Sequence, residues 1–149
     1  KSEHDIPVNK QKALEMNLVT DKQFEYLKTT SINIYNKMAQ IADDAGFILA
    51  DLKLEFGMIN GEIILGDSIG PDEYRLWPKD TFEVGKIQES YDKQILRDWL
   101  TANGYQKQFE DERNEGKEPT APQIPSNIIE TITKRYVIAY EKLTGNSLI

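Results

Sequence analysis

Apolar positions recur at two different periods along this chain, and the change of period falls at Gly46. From Thr20 onward, Phe24, Leu27, Ser31, Ile34, Tyr35, Met38, Ile41 and Ala42 share one face at helical spacing. The "TDKQ" ahead of them reads as a capping box in which Gln23 reaches back to Thr20. Gly46 supplies a left-handed stop, and the ordinary role of such a stripe is core packing. Residues 1–19 carry no such period and are read as irregular.

Beyond Gly46, "FILADLKLEF" sets Asp51, Lys53 and Glu55 in alternation with Leu52, Leu54 and Phe56, a strand pattern. Asn60-Gly61 then signals a type I′ hairpin with a two-residue loop, and "EIILG" is the returning strand. Gly70-Pro71 and Trp77-Pro78 make 68–88 an ordered loop with turns. A second helix is predicted from about Ser90 to Ala102, burying Ile95, Leu96, Trp99 and Leu100 and stopping at Gly104. Residues 105–125 are charged and end in three prolines at a spacing of three, which reads as a flexible surface excursion and not a domain boundary. A last helix, about Ser126 to Leu143, carries Ile128, Ile129, Ile132, Tyr136, Ala139, Tyr140 and Leu143 and ends at Gly145. The pattern predicts the α+β class, an antiparallel hairpin or sheet packed with helices, in a single domain over 1–149.

Composition narrows the function. A length of 149 residues supports one domain with a real core, and 39% hydrophobic with 29% charged residues is ordinary for a soluble protein. No apolar run approaches the roughly 20 residues that span a bilayer, so no membrane partner is expected. The absence of cysteine removes disulfides and thiol catalysis, and a reducing cytoplasm fits that. A net charge of −7 argues against nucleic acid as a partner but leaves room for a small phosphorylated ligand. His4 is the single histidine, so a metal would be held by oxygen: magnesium, manganese or calcium. The first residue is Lys1, which suggests a piece of a longer chain.

If Asn60-Gly61 is the loop, Ile59 pairs with Glu62, Gly57 with Ile64 and Glu55 with Gly66, leaving Asp67 one step beyond. Cross-strand neighbours sit about 4.5–5.5 Å apart. Two carboxylates so placed can share a cation at oxygen–metal distances of about 2.0–2.1 Å, and Gly66 leaves room opposite Glu55. Asp51 is roughly 13 Å from Glu55 along an extended strand, too far to share that ion directly. Lys53, between the acids, is placed to neutralise a transferring phosphoryl group or a carboxylate. Acids and lysines on alternate strand positions also commonly form a solvated outer face, so the pattern alone leaves both readings open. Arg75 follows a Gly-Pro turn and precedes Leu76-Trp77, an apolar anchor that would let its guanidinium face outward toward a phosphate; a plain surface arginine is the alternative. Lys93 and Arg97 stand at i and i+4, which costs a few tenths of a kcal/mol unless an anion lies between them. Two solvated side chains are the other reading. Asp92, near the helix start, is a favourable dipole partner.

The segments "DDAGFILADLKLEFG" (43–57), "ILGDSIGPDEYRLWP" (64–78), "SYDKQILRDWL" (90–100) and "TKRYVIAYEKLTG" (133–145), in this order, resemble the C-terminal part of the SAICAR synthetases. These are the purine-biosynthetic ligases also called phosphoribosylaminoimidazole-succinocarboxamide synthases. The resemblance runs from about Lys1 to the C-terminus and implies the C-terminal domain of a SAICAR synthetase-like (ATP-grasp/kinase-like) fold. It implies an ATP-dependent ligase joining L-aspartate to carboxyaminoimidazole ribonucleotide through an acyl phosphate, giving SAICAR, ADP and phosphate. By the same resemblance Glu55 and Asp67 hold Mg2+ beside the ATP phosphates, and Asp51 and Lys53 stand at the reacting carboxylate and the ribonucleotide. Arg75 grips the ribonucleotide phosphate, and Lys1 and Asp5 of "KSEHD" belong to a substrate loop; Lys93 and Arg97 are counted among the substrate-binding residues on their spacing alone. The family's "GK-x-K" type segment, which covers ATP, has no counterpart here, so the nucleotide lobe is absent and the piece alone is expected to have little activity. A metal-dependent nuclease or phosphatase and a non-catalytic binding fragment are the rival readings. A homo-oligomer is compatible with the chain, with 105–125 as a segment that could meet another subunit.

Overall fold

The computed structural model describes residues 6–148, so Lys1 and Asp5 lie outside the described residues. The elements are α1 (Lys10–Glu15), α2 (Asp21–Asp44), β1 (Phe47–Leu52), β2 (Phe56–Ile59), β3 (Glu62–Leu65), β4 (Tyr74–Pro78), α3 (Gln94–Ala102), α4 (Tyr105–Asn114) and α5 (Ser126–Thr144). The α+β class expected from the pattern is what forms. The chain divides into two compact units, one of residues 1–37 with 54–67 and the other of 38–53 with 68–149. No described helix is long and apolar enough to cross a membrane.

In the first unit the capping box forms as read: Thr20 N donates to Gln23 Oε1 at 2.8 Å and Gln23 N to Thr20 Oγ1 at 3.3 Å. The stretch expected to be irregular before it contains α1. Asn9 Oδ1 accepts from Lys12 N at 2.9 Å, capping that helix, and Lys10 Nζ meets Asp21 at 2.7 Å and Glu25 at 2.6 Å. A short helix held by contacts with a later element leaves little trace in local periodicity. The hairpin follows its turn chemistry. Asn60 and Gly61 have φ of 52° and 85°, the left-handed values a type I′ turn requires. The resulting register pairs Ile59 with Glu62 and Phe56 with Leu65.

The second unit is built on an antiparallel pair, β1 with β4, and on the residues of α2 from Met38 onward. Its core is Ala42, Phe47, Leu49, Leu76 and Ala139, contributed by α2, β1, β4 and α5. The long strand expected over 47–56 is therefore two strands in two sheets, interrupted at 53–55. Its partner β4 lies inside the segment read as loop: Gly70-Pro71 precedes the strand and Trp77-Pro78 forms its last two residues. The helical stripe on α2 is buried only in part, since Ala42 is enclosed while Tyr35 and Ile41 are exposed.

Helix α3 starts at Gln94 and not near Ser90. Tyr91 N donates to Leu76 O at 2.9 Å, so the backbone at Tyr91 is tied to strand β4 ahead of the helix. Residues 105–114, read as excursion, form α4. Gly104 precedes it at a φ of 70°, and the pairs Gln106–Glu110 and Gln108–Glu112 support it at i, i+4 spacing. Helix α5 ends at Gly145, whose φ of 71° is the expected left-handed stop.

Candidate functional site

Strict alternation from Phe47 would put Asp51 on the same face as Phe47 and Leu49, which are buried. The strand avoids this with a β-bulge. Leu49 pairs with Leu76 and Asp51 with Arg75, so Ala50 is the extra residue and Asp51 turns out of the core face. In the sequence Phe47, Ile48, Leu49 and Ala50 are all apolar, so alternation is visible only from Asp51 onward and the bulge itself leaves no local sign.

Directly across from Asp51, Arg75 points outward because its neighbour Leu76 is buried at 1% exposure. Its Nε donates to both carboxylate oxygens of Asp51 at 2.9 and 3.0 Å, and Nη2 closes the fork on Oδ2. The two residues assigned separate roles on the sequence are thus one ion pair. Hydrogen bonds from Arg75 hold the Asp51 carboxyl below the usual carboxylate range, against the opposing effect of burial. The Asp51 partner likewise raises Arg75.

This pair lines a hollow of about 340 Å³ together with Lys53, Lys93 and Arg97. Five of the predicted site residues therefore come together within the second unit. Lys53 is set by its own backbone, which donates to Glu73 O at 2.8 Å and continues the β1–β4 ladder. Lys93 is the residue before α3, and Arg97 lies one turn inside, its N–H donating to Lys93 O at 3.1 Å. The wall also carries Asp72 and Glu73, which had no place among the expected site residues, and Asp92, expected only as a dipole partner, so four bases are matched by four acids, counting Asp51. The hollow is not a plain cationic trap. An anion entering it must be recognised by directed donors rather than by net charge.

Asp92 is only 3% exposed, and its Oδ1 accepts from Gln94 N at 2.6 Å, satisfying one of the free amides that open α3. It is therefore a cap as well as a dipole partner. Burial raises the Tyr136 hydroxyl above its ordinary range, and the negative charges of Asp92 and Asp72 add to that, so Tyr136 stays neutral. Asp92 had a sequence signal, an acid near the expected start of the second helix. Nothing local announced Asp72 or Glu73, which reach the hollow through the unpredicted strand β4.

Glu55 and Asp67 belong to the first unit, at the open end of the β2–β3 hairpin. Gly66 N donates to Glu55 O at 2.8 Å, so the ladder extends one pair past β2 and puts Asp67 next to the residue opposite Glu55, as the register required. A Cβ built on Gly66 would meet Glu55 O and Gly57 N at 3.6 Å, ordinary contact, so the ladder itself does not demand glycine. Among the described residues no group of three or more His, Cys, Asp or Glu gathers closely enough to hold a metal alone. Two carboxylates are instead a partial oxygen set, the kind that suits magnesium when substrate phosphates and water complete the shell.

Comparison with known proteins identifies the family of the chain. Residues 1–112 match the family model described as SAICAR synthetase. A phosphoribosylaminoimidazole-succinocarboxamide synthase of Nitrosopumilus maritimus is 71% identical over 148 residues, which is 99% of this chain and 54% of the relative. The SAICAR synthase of Saccharomyces cerevisiae, solved in complex with SAICAR, superposes at a TM-score of 0.68 with 34% identity over 91% of this chain and 42% of that one. A SAICAR synthetase solved in complex with ADP shares the fold at a TM-score of 0.66 and 23% identity, covering 98% of this chain and 48% of its own. The chain thus spans about half the length of the relatives it matches. By the matched residues and by its identity to the Nitrosopumilus enzyme, the chain belongs to the SAICAR synthetase family.

Proposed function

We propose that this chain supplies the substrate floor and metal ligands of an ATP-dependent ligase that joins L-aspartate to carboxyaminoimidazole ribonucleotide. The observation that carries the reading is the hollow itself, where Asp51 and Arg75 on paired strands meet Lys53, Lys93 and Arg97. In this reading the ribonucleotide phosphate takes guanidinium donors of Arg75 that face the hollow, and Lys93 and Arg97 hold it from the α3 side. Lys53 neutralises the substrate carboxylate as its oxygen attacks the γ-phosphorus of ATP and the bond to ADP breaks. The aspartate amine then attacks the acyl carbon, and phosphate leaves. Glu55 and Asp67 would hold magnesium, which when bound offsets charge on the ATP phosphates.

Calorimetric titration with carboxyaminoimidazole ribonucleotide tests the reading, with wild type and Arg75→Ala run with and without magnesium and ADP. Loss of a charge-assisted fork should weaken ribonucleotide binding by about tenfold or more. Equal affinity in the two proteins, or no binding by wild type, would overturn the assignment of the hollow.

A further inference from the structure

The wall of the hollow that carries Lys93 and Arg97 is led into by the non-helical strap Glu89–Asp92, and this strap is gripped by a residue from a distant part of the sequence. Arg135, on α5, places Nη2 2.8 Å from a Glu89 carboxylate oxygen and donates from Nη1 to Ser90 O at 2.5 Å. Its guanidinium carbon also lies 5.4 Å from the centre of the Tyr91 ring. One side chain therefore touches three consecutive residues by three different interactions.

Other contacts show that the strap needs holding. The Ser90 hydroxyl is buried with no hydrogen-bond partner among the described residues, so its side chain does nothing to stabilise its own burial. The bonds that fix Ser90 are made by its backbone. Tyr91 packs against Phe47 at a centroid distance of 5.2 Å, and its N–H reaches Leu76 O, which anchors the strap's middle to the core. Asp92 follows immediately and caps α3. A displacement at 89–91 would therefore pass directly to the helix start, and so to Lys93 and Arg97.

We infer that Arg135 is a positioning residue that pins the strap Glu89–Asp92 from α5 and thereby sets where Lys93 and Arg97 enter the hollow. The part of this inference that concerns ligand rests on the proposed function; the pin does not. Arginine suits the task because its planar fork serves a carboxylate and a carbonyl at once while its face covers a ring. Lysine has the charge but a single point of contact.

Amide hydrogen exchange on the chain carrying Arg135→Met or Arg135→Lys, paired with ribonucleotide titration, tests the inference. Methionine keeps apolar bulk over Tyr91 and removes every donor. Exchange at Tyr91 and Gln94 should accelerate about tenfold or more relative to Lys79, whose N–H bonds to Gly46 O on the same sheet. Ribonucleotide affinity should fall with it, and Arg135→Lys should fall between wild type and Arg135→Met in both readouts. Unchanged exchange at Tyr91 and Gln94 would overturn the pin. So would equal acceleration at Lys79, the mark of a residue that merely supports overall stability. Lost protection with wild-type affinity would overturn the link to the hollow. Wild type that binds no ribonucleotide would sink the functional reading alone, and the exchange pattern would still decide the pin.

Discussion

Asp51 and Arg75 form a half-exposed ion pair whose geometry is tight but whose contribution to stability is small. Both side chains are 49% exposed, so solvent screens their attraction and the pair contributes about 0–1 kcal/mol. Because the folded-state carboxyl of Asp51 is held below its unfolded value of about 3.9, the contribution is complete above that value. It is lost as pH falls through the lower, folded value. Asp51→Asn should therefore be less stable than wild type at neutral pH by under about 1 kcal/mol. Thermal unfolding in increasingly acidic buffers should show the gap closing; a gap that widens in acid would contradict the assignment. The small size of the term matters for function. A half-exposed fork held this loosely can share its remaining donors with a phosphate, which a buried, fully desolvated pair could not do without leaving a charge uncompensated.

Elements of this chain were legible where a local signal sufficed. The capping box at Thr20, the Asn60-Gly61 turn and the glycine stops at 46 and 145 each encode their own geometry, and α2, the β2–β3 hairpin and α5 form where expected. Elements defined by a distant partner were not legible. Strand β4 exists because β1 pairs with it, and α3 starts only after Tyr91, which bonds to Leu76 O. The site divides along the same line. Residue types and register gave Asp51, Lys53, Glu55, Asp67 and Arg75, whereas the fork between Asp51 and Arg75 and the acids Asp72 and Glu73 just ahead of β4 needed the sheet. Two changes test the elements. Asp92→Ala removes the acceptor at the start of α3 and should cost about 1–2 kcal/mol in chemical denaturation, with Asp92→Asn costing clearly less because its amide oxygen still accepts. Gly66→Ala should leave stability within about 1 kcal/mol, since its methyl makes only ordinary contacts. If the space opposite Glu55 serves an ion and a phosphate, the same methyl should weaken magnesium-dependent ADP binding. Full ADP binding in Gly66→Ala would mean that the glycine reserves no such space.

At the scale of the molecule, the second unit ties its site to a small core. Asp51 and Arg75 extend from the same two strands whose Phe47, Leu49 and Leu76 fill that core, alternating faces of one ladder. Phe47 is 1% exposed and carries the Tyr91 ring, which in turn anchors the strap leading to α3. Few large side chains share the work: Phe47 and Leu76 are the largest that are fully enclosed. Truncating one of them opens a cavity that so small a core has few groups to refill. Phe47→Ala should thus cost about 3–5 kcal/mol, a large part of the roughly 5–15 kcal/mol available to a typical domain. Phe47→Leu, which keeps most of the apolar volume, should cost much less. Urea denaturation followed alongside ribonucleotide titration separates two ways in which the site depends on the core. If the core only keeps the unit folded, the fraction of Phe47→Ala that remains folded should bind with wild-type affinity. If Phe47 also sets the strap through Tyr91, that folded fraction should bind more weakly, and Phe47→Leu should show a milder form of the same defect. The ring contact and the continuous backbone path from Tyr91 to Lys93 favour the second outcome.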